Sequence, residues 1–209
     1  MPDLSLTRDA VLLLKRVLGN PSKISEVANN SYTHPLGFEK YVIATLPTGE
    51  ALRLHYWPAN YKHTDEDIHS HCASFESTVL IGKMRSEIFD LMHGDEFNLY
   101  SYSFNALTNQ SEAQKLGVTG IKFKESISLS KGDKYKLAAH VLHRVTEISP
   151  GTLTLSTWGA RDSNALVVKR KNSSSSECCR TAGLPIKFVI ERFSTILSGL
   201  EDDIKCARN

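Results

Sequence analysis

Ile68-His69-Ser70-His71, followed by Glu76 and then Gly82, is the stretch on which the reading of this 209-residue chain turns. Alternate residues of a β-strand point to the same side, so His69 and His71 can converge on one point. Far downstream, Gly132-Asp133 leads into His143. Glu76 and His143 could complete a metal site at that point. Three imidazoles, with or without a carboxylate, suit a divalent transition metal, iron(II) first, with positions left open for a small molecule or dioxygen. Asp65, Glu66 and Asp67 precede the histidine pair in what reads as a loop at a barrel mouth.

Working outward, the flanking pattern is that of many short strands. Residues 40–46 and 51–57 are strand-like runs joined by Pro47-Thr48-Gly49-Glu50, a good hairpin turn. In the second run Arg53, His55 and Trp57 share one face, and Leu52, Leu54 and Tyr56 the other. Further strands are expected at 76–81, 83–91, 97–104, 120–129, 140–148, 153–158 and 165–169, separated by Gly, Pro, Asn or Asp. This spacing predicts an antiparallel sandwich or barrel rather than a βαβ protein. Residues 6–18 read as an amphipathic helix with Thr7 as N-cap and Gly19 and Pro21 as stop signals, followed by an Asn/Ser-rich loop. Residues 187–205 return to helical spacing, with Val189, Phe193, Ile196, Leu197, Leu200 and Ile204 on one stripe. The terminal helices are expected either to pack outside the β-core or to make a homodimer contact. Residues 172–183, with Ser173–Ser176, read as an exposed loop.

A net charge of +2 is nearly balanced and gives no reason to expect a nucleic-acid or membrane partner. Lys169-Arg170-Lys171 reads as a solvated strand end. The apolar run Ala10–Leu14 is too short to span a membrane and lies among charges, so neither a span nor a signal peptide is expected and the cytoplasm is the expected compartment. Cys72, Cys178, Cys179 and Cys206 form no zinc or disulfide pattern and read as free thiols.

His69, His71, Glu76 and Gly82 resemble the first motif of the cupin superfamily. Gly132 and His143 match its second motif in spacing, with Ala138 and His140 where that motif has Pro and Gly. The resemblance implies a mainly β fold, a double-stranded antiparallel β-barrel (jelly roll) over about 40–168. With helical additions at 6–18 and 187–205, residues 1–209 are expected to form one domain. More narrowly, Ile68-His69-Ser70-His71-Cys72, residues 82–89, and Leu142-His143-Arg144-Val145 followed by Ile148-Ser149 look like thiol dioxygenases of the cysteine dioxygenase type. That likeness implies iron(II) held by His69, His71 and His143. Glu76 stands where the animal enzymes carry a cross-linking cysteine. The family's Ser-x-His-x-Tyr run falls on Ser156, Trp158 and Ala160, and Arg53 is an approximate counterpart of its substrate-gripping arginine. These departures imply a different substrate.

The function expected is therefore a non-haem iron dioxygenase, or a related oxidoreductase, acting on a small polar molecule that is anionic or resembles an amino acid or thiol. Manganese, nickel, zinc or copper(II) are alternative metals. Arg53, His55, Arg85, Tyr102 and Trp158 are the candidate substrate contacts, and Tyr100 alternates with Tyr102 along its strand. An arginine inside such a barrel would pair with a carboxylate or phosphate. Glu76 is a candidate fourth ligand or catalytic base. The alternatives are a non-oxidative isomerase or lyase using the metal as Lewis acid, with Glu76 or a neighbour as base, and a small-molecule-binding protein without catalysis. His34, His63 and His93 read as ordinary exposed histidines, and His140 as a surface or supporting residue.

Overall fold

In the computed structural model, which describes residues 5–34, 37–61, 67–105, 110–162, 164–172 and 182–206, Gly19 and Pro21 divide a helical region rather than end it. Helix α1 spans Ser5–Leu18 and α2 spans Pro21–Asn30. Pro21 opens the second helix, where its missing N–H costs nothing, and the Asn20 side chain caps it by accepting from the Lys23 N–H at 3.1 Å. The expected loop is therefore a helix. Thr7 is not an N-cap but lies within α1 and is buried.

Eleven strands follow: β1 (Tyr32–Thr33), β2 (Glu39–Thr45), β3 (Ala51–Tyr56), β4 (Ile68–His69), β5 (Phe75–Ile81), β6 (Lys83–Asn105), β7 (Gln110–Ser130), β8 (Lys134–Leu137), β9 (Leu142–Thr146), β10 (Leu153–Trp158) and β11 (Ala165–Arg170). Helix α3 spans Ile186–Cys206. The strands form two sheets, ordered β1-β2-β3-β10-β5-β8 and β11-β4-β9-β6-β7, with every pairing antiparallel. From β3 to β10 the chain crosses between sheets after almost every strand, and β3-β10-β5-β8 faces β4-β9-β6-β7. That is the eight-strand jelly-roll order. The mainly β fold with helices at both ends agrees with the sequence pattern.

The two strands expected at 83–91 and 97–104 are one bent strand. β6 pairs with β9 through Arg85–Phe89 and with β11 through Phe97–Tyr102, with a register shift against β7 between Met92 and Phe97. β9 pairs with β4, and β4 with β11, so β6, β9, β4 and β11 close a ring. Ile68, Phe89, Leu142 and Val168 are buried together there, with Phe97, Leu99, Ile121 and Leu166 against them.

Residue parity separates two further layers. Tyr41, Ile43, Leu54, Tyr56, Leu80 and Leu153 face the helices, where they pack on Leu14, Val27, Val189, Phe193 and Leu200. The terminal helices thus cover the outer face of the six-stranded sheet. A buried polar network reinforces that seam: Arg192 donates to Glu39 at 2.8 Å, the Tyr41 hydroxyl donates to the other Glu39 oxygen at 2.7 Å, and the Arg192 guanidinium lies 5.0 Å from the Tyr56 ring centre. Between the sheets, Phe75, Trp158 and Leu137 meet Ile88, while Trp57 and Val79 meet Met84, Leu129 and Val145.

Gly82 makes the turn from β5 to β6 at φ +82°, and a Cβ there would collide with Thr152 and Ser149. Only glycine meets both demands without strain. Gly49 turns the β2–β3 hairpin at φ +92°.

Candidate metal centre

Two stretches of chain deliver the three histidines. His69 ends the two-residue strand β4, directly opposite His143 on β9, and His71 follows after Ser70. Their ligand nitrogens all lie within 4.8 Å of one another. Ring centroids are 4.8–4.9 Å apart in every pairing, and the Nε2 atoms of His71 and His143 approach to 2.7 Å. The structure thus brings together the three histidines that the spacing singles out.

Position and tautomer are set locally. Ser70 locks the segment to β11: its N–H donates to the Leu166 carbonyl at 2.8 Å, and its hydroxyl accepts from the Leu166 N–H at 2.9 Å. The His71 N–H donates to the Ala139 carbonyl at 2.9 Å. His69 Nδ1 lies 2.9 Å from the Asp67 carbonyl, so this nitrogen donates to it and Nε2 is the atom left for a ligand. The Asp67 side chain is itself held by Lys169 at 3.1 Å. Lys169 is only 8% exposed, so it is not part of a solvated strand end but a clamp on the loop that orients His69.

The surroundings keep His71 and His143 uncharged. Burial, then repulsion from His69 and His143, holds the His71 imidazole well below its usual range. Burial, then His69, does the same to His143. His143 is 3% exposed and its Nδ1 is buried without a partner among the described residues. Three converging imidazoles, two of them held neutral by burial, fit a divalent transition-metal ion.

Glu76 does not join them. Phe75 and Glu76 are neighbours on β5 and therefore point to opposite faces. Phe75 takes the inward position, with its ring edge-on to His71 at 5.1 Å and stacked on Trp158 at 4.4 Å. Glu76 is on the outer face, 2.8 Å from Lys136 on β8. The hydrogen bond to Lys136 and its charge lower the Glu76 carboxyl from its ordinary range. The expected fourth ligand or base is thus a surface ion pair.

The other expected contacts divide. Trp158 is buried, edge-on to His71 at 5.1 Å and to His55 at 6.2 Å. The Arg53 guanidinium lies 4.2 Å over the Trp158 ring centre, and its Nε is buried without a hydrogen-bond partner. His55 shares this face of β3, and burial, then Lys40 and Arg53, drives its imidazole well below the usual range. Arg53, His55 and Trp158 therefore stand around the histidines. Arg85 does not: it alternates with the core residues Met84, Ser86 and Ile88 and pairs outside with Glu147 at 2.9 Å. Tyr102 is in register with Ala165, one rung beyond the row His143–His69–Val167–Tyr100 that crosses the five-stranded sheet. It shares the inner face with His69, and buried Tyr100 is closer to the centre.

Two residues escape the sequence reading. Lys40 on β2 is directly opposite His55 on the same face, a position its β2 parity opposite buried Glu39 could have signalled. His34 is not an ordinary exposed histidine: it stacks on Phe38 at 4.4 Å, and burial, then Lys40 and His69, pushes it down to about 3. His93 is exposed, though within β6, and His140 is exposed in the β8–β9 turn. His63, Asp65, Glu66, Cys178, Cys179 and residues 173–181 of the serine-rich stretch lie outside the described residues. Cys72 and Cys206 are free. No helix among the described residues is long and apolar enough to cross a membrane.

Neither a protein-family model nor a curated protein matches the sequence significantly. Among solved structures, the chain is similar to a hydroquinone 1,2-dioxygenase in complex with cadmium and 4-hydroxybenzonitrile, at 20% identity, 65% of this chain and 70% of that chain, with a TM-score of 0.38. An oxalate oxidase in complex with the substrate analogue glycolate is similar at 13% identity over 71% of this chain and 62% of that one, with a TM-score of 0.39. A further oxalate oxidase structure is similar at 10% identity over 89% and 80%, with a TM-score of 0.38. These likenesses are too slight to carry chemistry. What the chain itself provides is a walled cluster of three imidazoles with a tryptophan-backed arginine beside it.

Proposed function

We propose that the chain is a cupin enzyme in which His69, His71 and His143 hold a divalent metal, iron(II) first, for oxidation of a small anionic molecule by dioxygen. The convergence of three ligand nitrogens within 4.8 Å carries this reading. Such an ion, when bound by three neutral imidazoles, supplies open positions and electrons for oxygen chemistry.

The chain's own residues do the rest. Arg53 offers a planar fork of donors to an anionic group, and the Trp158 face beneath it restricts its orientation. Phe75 and Trp158 present stacked apolar surface to His71 and exclude water from that side. Ser77 and Ser156, hydrogen-bonded to each other at 2.8 Å on the floor of the site, add hydroxyls able to donate or accept. His55, kept neutral by burial and its cationic neighbours, can accept a hydrogen bond from a bound molecule or donate one to it. The non-oxidative reading is left with a neighbour as base in place of Glu76, which points away.

The test is anaerobic loading with iron(II), metal analysis, then oxygen uptake against a panel of small amino acids, thiols and organic acids. The expected result is one bound iron and a product heavier by one or two oxygen atoms. Protein that stays empty with iron, manganese, nickel, copper and zinc would overturn the reading.

A further inference from the structure

Lys40 and Arg53 differ from the other shielded cations of the molecule. Among the described residues, every other lysine or arginine that is not exposed has a carboxylate: Lys23 with Glu26, Arg85 with Glu147, Lys131 with Asp203, Arg144 with Glu87, Lys169 with Asp67 and Arg192 with Glu39. Among the described residues Lys40 has no carboxylate; it has the Tyr32 hydroxyl, at 3.0 Å, and the face of the same ring at 5.0 Å. Arg53 has no carboxylate there either; it has the Trp158 face, with the Cys72 thiol and the Tyr32 hydroxyl near enough to act on its charge, and its Nε is orphaned.

These two cations belong to one place. Lys40 is directly opposite His55, and Arg53 is two residues from His55 on the same strand, so Lys40 and Arg53 are diagonal neighbours on one face. That face also carries Thr154 and Ser156, which are in register with His55 and Arg53. It looks toward the three histidines through Trp158. Shielded positive charges side by side destabilise the fold unless something negative neutralises them. Burial first, and Arg53 among the lesser causes, lowers the proton affinity of Lys40.

We propose that Lys40 and Arg53 form one receptor for a compact dianion, carrying either a phosphate or phosphonate group or two carboxylates, held beside the histidine cluster. A single carboxylate would leave one of the two charges uncompensated. The hydroxyls of Tyr32, Thr154 and Ser156 are available to the remaining oxygens. This deepens the functional reading above, and rests on it only for the neighbouring metal.

Isothermal titration calorimetry tests it on the full chain, as purified and after removal of metal by chelation. The probes are inorganic phosphate at pH 8, malonate and acetate. The expected result is that phosphate, malonate or both bind at least about 10-fold tighter than acetate, in both preparations. Lys40→Met is expected to lower that dianion affinity by about 10- to 100-fold and Lys40→Arg to restore most of it. Should Lys40→Met fail to fold, thermal unfolding of the unmodified protein decides, because at matched ionic strength the dianions must raise Tm more than acetate. Acetate binding as tightly as both dianions, absence of binding by both, or unchanged affinity in folded Lys40→Met overturns the proposal. Metal content is measured on the same samples. Absence of metal uptake with retained dianion binding sinks the oxygenase reading and leaves the receptor standing.

Discussion

The Nε2 atoms of His71 and His143 face one another across 2.7 Å, from strand segments 72 residues apart in sequence. Both rings are held neutral by burial and by neighbouring histidines, so neither has to lose a proton to bind a cation near pH 7. Calorimetric titration with zinc at pH 7 in buffers of different ionisation enthalpy is expected to show release of fewer protons than there are histidines, because His71 and His143 have none to give. His143→Ala is expected to weaken zinc binding by about 100-fold or more.

Glu76→Gln separates the ligand set observed from the one expected. The carboxylate is an outer-face partner of Lys136, so the change should leave metal content and oxygen uptake as they are. Loss of metal from Glu76→Gln, read by elemental analysis, would return Glu76 to the site.

Folding stability should fall in acid. His34, His55, His71 and His143 all have proton affinities lowered in the fold, His34 to about 3 and the others well below 6.5. Below pH 6.5 the unfolded chain binds protons that the native chain does not. The stability is therefore fully present above 6.5 and is lost as pH falls, by up to about 1.4 kcal/mol per pH unit for each histidine. Urea unfolding of metal-free protein at pH 7.5, 6 and 5 checks the sign. His55→Gln should flatten the slope.

Arg192→Ala removes one half of a shielded pair that fastens α3 to β2. Glu39 is 4% exposed and would be left charged and short of a partner. The expected loss is about 3 kcal/mol in chemical denaturation. A double variant, Glu39→Gln with Arg192→Met, should lose less than Arg192→Ala alone.

Gly82→Ala forces a side chain into a left-handed backbone and against Thr152 and Ser149. A loss of about 2 kcal/mol or more is expected, measured as a shift of the urea midpoint.

The sequence was most legible where side-chain parity and chemistry coincide. His69 and His71 lie on one side because one residue separates them, and Arg53, His55 and Trp57 share a face for the same reason. Parity also corrects the Glu76 expectation, since inward Phe75 excludes its neighbour from the same face. Arg85 fails similarly, because Met84 and Ser86 take the core. Elsewhere the local signals were ambiguous. Gly19-Asn20-Pro21 serves equally as a stop for one helix and a start for the next. The 83–105 strand reads as two because polar His93-Gly94-Asp95 mimics a turn, while pairing with β7 carries it through. The face that Lys40 takes follows from parity along β2, but nothing local to it says that its carboxylate is missing; that is a property of the assembled sheet.

The two-residue strand carrying His69 has no ladder of its own beyond β9 on one side and β11, about a hundred residues further along, on the other. Contacts that close such long loops are among the slowest to form. A chain lacking residues 165–170 keeps the pairing of His69 with His143 but loses the β11 partner of His69 and the Ser70 bonds to Leu166. The histidine cluster is therefore braced on both sides only once the last strand has docked.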